Sequence, residues 1–157
     1  MYDRVEWVFL KRIMLRMDIS PRWISLISSC IRSVTYSILL NGQPHSLITL
    51  KRGLRQGDPL SLYLFLLVIE GLHALFTKAE VDGALRGVSI CAASPKISHL
   101  LFADDSLVFC RAIIAECVQI QSLLQLYEQA SGQNINRGKT NIFFSSNTPP
   151  QNPYSDL

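Results

Sequence analysis

Leu100-Leu101-Phe102-Ala103-Asp104-Asp105-Ser106-Leu107-Val108-Phe109 sets two adjacent carboxylates between two apolar arms. Each arm reads as a buried strand, so the stretch predicts a tight hairpin with Asp104 and Asp105 at its tip. Two negative charges at the rim of an apolar sheet are costly unless something positive compensates them. A carboxylate pair held on a rigid hairpin is a hard-oxygen site of the kind Mg²⁺ takes, with substrate phosphates and water completing the shell. The alternative reading is a plain polar turn, since Asp is common in turns, although the sharpest two-residue hairpins prefer Asn-Gly or Asp-Gly.

The surrounding chain is long enough for one domain. Its 157 residues suffice to bury a real core, and a hydrophobic content of 48% excludes a disordered chain. That content is high for such a length and hints at apolar surface meant for a partner or a further segment. The longest unbroken apolar run, Leu62 to Ile69, is far short of the ~20 residues that cross a bilayer, so no membrane span is expected. Cysteines at 30, 91, 110 and 117 lack the spacing of a zinc site or a disulfide scaffold. An intracellular, reducing compartment is expected, with nucleus, cytoplasm and mitochondrion left open.

Charge is uneven along the chain. Residues 1–55 carry nine Lys/Arg against three Asp/Glu, whereas residues 56–157 carry six against nine. A basic first third rich in arginine suits phosphate contact or is simply a solvated face, and an acidic remainder suits cations.

In chain order, Val5, Phe9, Ile13 and Met17 recur at helical spacing within an amphipathic helix over 2–17. The Arg-rich start also raises an organelle transit peptide, which the early Asp3 and Glu6 disfavour. Ser20-Pro21 caps and starts a second helix to about Ser33, with Trp23, Ile24, Ile27 and Ile31 apolar. Val34–Leu40, Asn41-Gly42 and Leu47–Leu50 predict a hairpin. Gly53-Leu54-Arg55-Gln56-Gly57-Asp58-Pro59 then leads into a long helix to about Ala79, which is apolar nearly all round in its first half. Arg55, Gln56 and Gly57 fall at that helix's N-terminus, where amides and the dipole attract phosphates; an ordinary glycine-rich loop is the alternative.

Gly83 and Gly87 bracket a turn. Short strands are expected at Val88–Cys91 and Ile97–Phe102, with Val108–Cys110 leaving the acidic hairpin. A helix over Ala112–Ser131 should have Val118, Leu123, Leu124 and Tyr127 on its inner face and stop at Gly132. Thr140–Ser145 reads as a last strand. The Ser/Asn/Pro-rich 147–157 reads as a disordered tail, leaving residues 1–146 as the domain.

Tyr2-Asp-Arg-Val-Glu-Trp7, Arg52-Gly-Leu-Arg-Gln-Gly-Asp-Pro-Leu-Ser61, Phe102-Ala-Asp-Asp105, Ala130-Ser-Gly-Gln-Asn-Ile-Asn136 and Lys139 follow one another in an order that resembles a reverse transcriptase. The resemblance is to the polymerase of non-LTR, LINE-type retrotransposons, especially plant copies, and covers about residues 2–146. It implies an α+β fold: a partial palm domain, a small antiparallel sheet backed by helices, with incomplete fingers and no thumb. It also implies RNA-templated DNA synthesis with two Mg²⁺, with RNA template, DNA primer and dNTP as partners and no membrane. Asp104 resembles the family's principal metal ligand on this hairpin, and Asp105 its neighbour. Arg55, Gln56 and Gly57 resemble the loop that meets incoming nucleotide and template. Tyr2 resembles the aromatic gate against a ribose 2′-hydroxyl. Lys139 resembles the basic residue of the next motif, a proton donor to pyrophosphate.

Departures from the family accompany these matches. The family places another metal-binding Asp shortly before the gate, where this sequence has only Met1, so that the first catalytic Asp is expected to lie upstream of Met1. Leu62 replaces a usual proline. Fingers strands, thumb, endonuclease and zinc-knuckle segments are not present in the 157 residues. The expectation is therefore a polymerase remnant inactive alone, with a non-catalytic RNA-binding or protein-interaction module as the alternative.

Overall fold

In a computed structural model, residues 2–89, 91, 94–102 and 105–148 are described. The element order is a 3-10 turn Tyr2–Arg4, α1 Trp7–Arg16, α2 Pro21–Arg32, β1 Thr35–Leu40, β2 Gln43–Thr49, α3 Pro59–Val81, β3 His99–Phe102, β4 Asp105–Val108, α4 Ile114–Ser131 and a 3-10 turn Arg137–Lys139. The expected α+β character is present as helices with small antiparallel sheets. Among the described residues the strands form two hairpins, β1-β2 and β3-β4, where one small sheet was expected.

The chain divides into two compact units, one of residues 1–71 and 127–133, the other of residues 72–126 and 134–157. In the first unit the core is Val5, Leu10, Met14, Ile24, Leu54, Leu64, Phe65, Val68 and Tyr127. Glu6 accepts no helical partner for its N–H, which donates instead to the Ser131 carbonyl at 2.9 Å, and α1 begins only at Trp7. Val5 thus lies outside the helix. The buried i,i+4 pair of α1 becomes Leu10–Met14, displacing the expected Phe9–Ile13–Met17 face, and Met17 is exposed. Phe9 meets the Tyr127 ring edge-on, at 6.0 Å and 82°. In α2 only Ile24 is buried, and Trp23, expected on the apolar face, is 63% exposed.

The β1-β2 hairpin turns at Asn41 and Gly42, both at positive φ, as a two-residue turn with the twist of a right-handed ladder requires. Its return strand starts at Gln43, four residues before the expected Leu47, because pairing begins at Leu40–Gln43 directly after the two-residue turn; Ser46, at φ 59°, bulges out between the Ser37–Leu47 and Ile38–His45 pairs.

The second unit packs Leu72, Phe76, Ala79, Leu85 and Leu123. Its expected Val88–Cys91 strand reduces to a single bridge, Val88 with Ile97, beside Gly87, where a Cβ would stand 2.6 Å from the Ile97 carbonyl oxygen. Ile90 lies outside the described residues. On α4 Leu123 and Tyr127 are buried as expected, but Val118 is exposed and Glu116 is buried. Thr140–Ser145 forms no strand among the described residues, since no strand edge pairs with it, and Phe143 is 90% exposed. Residues 149–157, most of the expected tail, lie outside the described residues.

Among the described residues α3 is long and apolar enough to cross a membrane by length and composition. Its buried side chains nevertheless supply both cores, Leu64, Phe65 and Val68 in the first unit and Leu72, Phe76 and Ala79 in the second. That is the pattern of a core helix.

Candidate active site

In the first unit the loop before α3 is stapled to the start of the chain. The Leu54 N–H donates to the Tyr2 carbonyl (2.7 Å), the Gly53 N–H to the Val5 carbonyl (2.8 Å) and the Trp7 indole N–H to the Gly53 carbonyl (2.7 Å). Gly53 sits at φ 89°, and a Cβ there would lie 2.6 Å from the Asp3 carbonyl oxygen, so the approach requires glycine. Arg52 Nη1 reaches Glu6 Oε1 at 3.4 Å, and Arg32 lies over the Trp7 ring at 5.7 Å. These contacts carry Tyr2 and the Arg55-Gln56-Gly57 loop on one framework. Tyr2 rests its ring against Phe65 of α3, 4.7 Å between centroids.

Arg55, Gln56 and Gly57 are all exposed, and Gly57 turns at φ 86°. The helix start itself differs from a bare phosphate-binding terminus. Asp58 Oδ1 accepts the Leu60 N–H at 2.9 Å and the Asp58 carbonyl accepts the Ser61 N–H at 3.0 Å, so α3 brings its own anion to its positive end. A phosphate approaching this loop would meet Arg55 and the amides before Asp58, not the helix terminus. The hollow beside the loop, walled by Cys30, Val34, Tyr36, Leu54, Arg55 and Ser61, holds about 30 Å³, room for a water molecule.

In the second unit β3 and β4 pair in the register His99–Val108, Leu100–Leu107, Leu101–Ser106 and Phe102–Asp105. Asp105 is therefore the first rung of β4, paired with Phe102, which corrects its expected place at the hairpin tip. Asp104 lies outside the described residues. Asp105 is exposed, and its hard carboxylate oxygens suit Mg²⁺, but no group of three His, Cys, Asp or Glu side chains that could hold a metal occurs among the described residues. Lys139 is exposed and ends the Arg137–Lys139 turn, its N–H donating to the Asn136 carbonyl at 3.0 Å. The expected site residues thus group as Tyr2 with Arg55, Gln56 and Gly57 in one unit, and Asp105 and Lys139 in the other.

Two clusters of the second unit escaped the sequence reading. His73 Nδ1 lies 2.7 Å from His99 Nε2, His99 Nδ1 lies 2.7 Å from Ser98 Oγ, and the His99 ring stacks on Phe76. Burial, and then the charge of His73, push the His99 imidazole below its ordinary value against the upward pull of Glu80. Glu116 Oε2 accepts the Arg111 N–H at 2.9 Å and Oε1 the Arg111 Nε at 2.7 Å. Burial raises the Glu116 carboxyl, but these bonds and that charge outweigh it and hold the group below the usual range. A partner 26 residues away, as for His73 and His99, leaves no spacing signal in sequence. Arg111 and Glu116, five apart across a helix start, leave a faint one.

The profile of the reverse transcriptase (RNA-dependent DNA polymerase) family matches residues 1–153. The chain belongs to the reverse transcriptase family. An uncharacterized mitochondrial protein of Arabidopsis thaliana is 40% identical to this reverse transcriptase-family chain over 112 residues, 71% of the chain and 90% of that protein. The retrovirus-related Pol polyprotein from type-1 retrotransposable element R2 of Popillia japonica is 31% identical over 107 residues, 68% of the chain and 17% of the polyprotein. The transposon TX1 uncharacterized 149 kDa protein of Xenopus laevis is 24% identical over 139 residues, 88% of the chain and 10% of that protein. The family member described here thus spans most of the plant protein and a small part of the two transposon proteins.

Proposed function

We propose that residues 1–146 are part of the palm of a retroelement RNA-directed DNA polymerase, and that the 157 residues on their own do not polymerise. The family match across residues 1–153 carries the reading. In it Asp104 and Asp105 offer carboxylate oxygens to the metals, Arg55, Gln56 and Gly57 present a cation and backbone amides to the phosphates of dNTP and template, Tyr2 stands against the ribose 2′-position, and Lys139 gives a proton to the departing pyrophosphate. Two Mg²⁺, when bound, supply Lewis acidity at the primer hydroxyl and at the leaving group. The rest is positioning: the Gly53 staple holds Tyr2 and the nucleotide loop in one geometry, and the β3-β4 ladder fixes where Asp105 projects.

In this reading the metal that activates the primer hydroxyl also needs the further carboxylate expected before the gate, outside the 157 residues. At about 1.4 kcal/mol per tenfold in rate, a loss of several kcal/mol lowers turnover by several powers of ten. Primer extension on an RNA template, with Mg²⁺ and then Mn²⁺, tests this. The chain alone is expected to give no product. A version extended at its N-terminus with a family-like Asp segment should recover extension, and Asp104→Asn in that version should abolish it. Robust extension by the unextended chain, lost in its own Asp104→Asn variant, would overturn the remnant reading.

A second reading rests on one observation. All nine Lys and Arg side chains of residues 1–55 are exposed. As a retained RNA-binding module the chain would hold RNA through counterion release, with affinity falling steeply as salt rises and indifferent to Asp104→Asn.

A further inference from the structure

His73 lies on α3 and His99 opens β3, and the fold of the second unit brings their rings together, with His73 Nδ1 standing 2.7 Å from His99 Nε2. His73 is exposed and His99 is half-buried, its ring stacked on Phe76 at 5.1 Å between centroids. The other ring nitrogen of His99, Nδ1, lies 2.7 Å from Ser98 Oγ. Ser98 is itself fixed, being 1% exposed and accepting the Phe109 N–H on its carbonyl at 2.7 Å. Two imidazole nitrogens at this separation share one proton, so one donates and the other accepts. With the Ser98 hydroxyl accepting from His99 Nδ1–H, the Nε2 lone pair of His99 faces His73.

We propose that His73 Nδ1 and His99 Nε2 form a two-nitrogen binding site for a divalent transition-metal ion of the Zn²⁺ class, with water completing its shell on the exposed side. Imidazole suits such ions, whereas Mg²⁺ prefers hard oxygen. Two nitrogens on one Zn²⁺, each at about 2.0–2.1 Å in a tetrahedral shell, stand roughly 3.3 Å apart, so rings now 2.7 Å apart need to part by only about 0.6 Å. The exposed His73 ring is free to make that move. The His99 ring already has the arrangement of a ligating imidazole, its second nitrogen bonded to a fixed oxygen. The ion takes the place of the shared proton. His73 Nδ1 gives that proton up to solvent while its Nε2 takes one from solvent, and both rings ligate in the neutral form. Burial and the charge of His73 hold the His99 imidazole below its ordinary value, which keeps its lone pair available at neutral pH, and the charge of Glu80 favours a cation nearby. Two protein ligands make an open site, in keeping with the lack of any group of three among the described residues. The inference stands apart from the polymerase reading, because it needs only the fold of the second unit.

Equilibrium dialysis of the full chain against Zn²⁺ tests it, in a Cys30→Ser/Cys91→Ser background that removes the exposed thiols. The parent is expected to hold one Zn²⁺ per chain and to keep it in an excess of Mg²⁺. His73→Gln, a change at an exposed helical position, should weaken binding about tenfold or more. His99→Gln should do the same, whereas His45→Gln, in the β1-β2 hairpin, should leave the affinity unchanged. No Zn²⁺ on the parent, equal affinity in His73→Gln, or displacement of Zn²⁺ by Mg²⁺ would overturn the proposal.

Discussion

At the scale of single residues, the strongest statements concern groups whose neighbours leave no choice. Gly53 combines a positive φ with a backbone oxygen where a Cβ would go. Gly53→Ala should therefore cost about 2 kcal/mol or more, strain and clash together, read as a lower urea midpoint at unchanged slope. Glu116 has a side chain only 3% exposed and two bonds to Arg111. Glu116→Gln keeps the shape and loses the charge, and a loss of about 1–3 kcal/mol is expected in the same measurement. Both clusters make stability fall as pH falls, in separate windows. The Glu116 carboxyl is lowered in the folded chain, so its contribution is present above the ordinary 4.5 and is lost as pH falls through that value and below. The His99 imidazole is also lowered, which for a base means that the unfolded chain binds the proton more readily. Stability from this site is present above the ordinary 6.5 and declines as pH falls below it. Urea midpoints between pH 4 and pH 8 should show the upper decline in the parent and a smaller one in His99→Gln.

Elements were legible where the signal is local. Asn41-Gly42 gave the hairpin its turn, Asp58-Pro59 gave α3 its cap and first residue, and Gly132 at φ 75° ends α4 as expected. Asp58→Ala should cost about 1 kcal/mol, by loss of the bond to the Leu60 amide, with helical circular dichroism retained below the transition. What sequence could not supply is whatever a distant segment decides. On α1 the buried pair is Leu10–Met14, and on α4 the buried face runs Glu116, Leu123 and Tyr127, with Arg111 making the buried carboxylate tolerable. Thr140–Ser145 has strand-forming residues, yet a strand exists only beside another, and composition does not say whether one is there. The candidate site divides likewise. Its loop residues were readable from glycine and proline, whereas the attachment of that loop to Tyr2, Val5 and Trp7 spans some fifty positions and is silent in the sequence.

For the whole molecule, the exposed apolar surface is the dominant physical fact. Ile38, Leu39, Leu40 and Leu47 of the β1-β2 hairpin are all exposed, Leu47 at 74%, and both faces of that ladder meet solvent. Such a hairpin invites self-association. The isolated chain should show a mass by light scattering that rises with concentration, and Leu39→Lys with Leu47→Lys should reduce it. A monodisperse monomer at high concentration would contradict this.

The first unit is also discontinuous: its seven closing residues, 127–133, come after the fifty-five that belong to the other unit. Glu6 waits for Ser131, and Phe9 waits for Tyr127. On a ribosome making the chain from its N-terminus, α1, α2 and the hairpin emerge well before the segment that completes their core. Until residue 133 clears the exit tunnel the nascent chain carries an unfinished unit with its apolar side open. That interval is when a chaperone has the most to hold, and when arrest of translation would do the most harm.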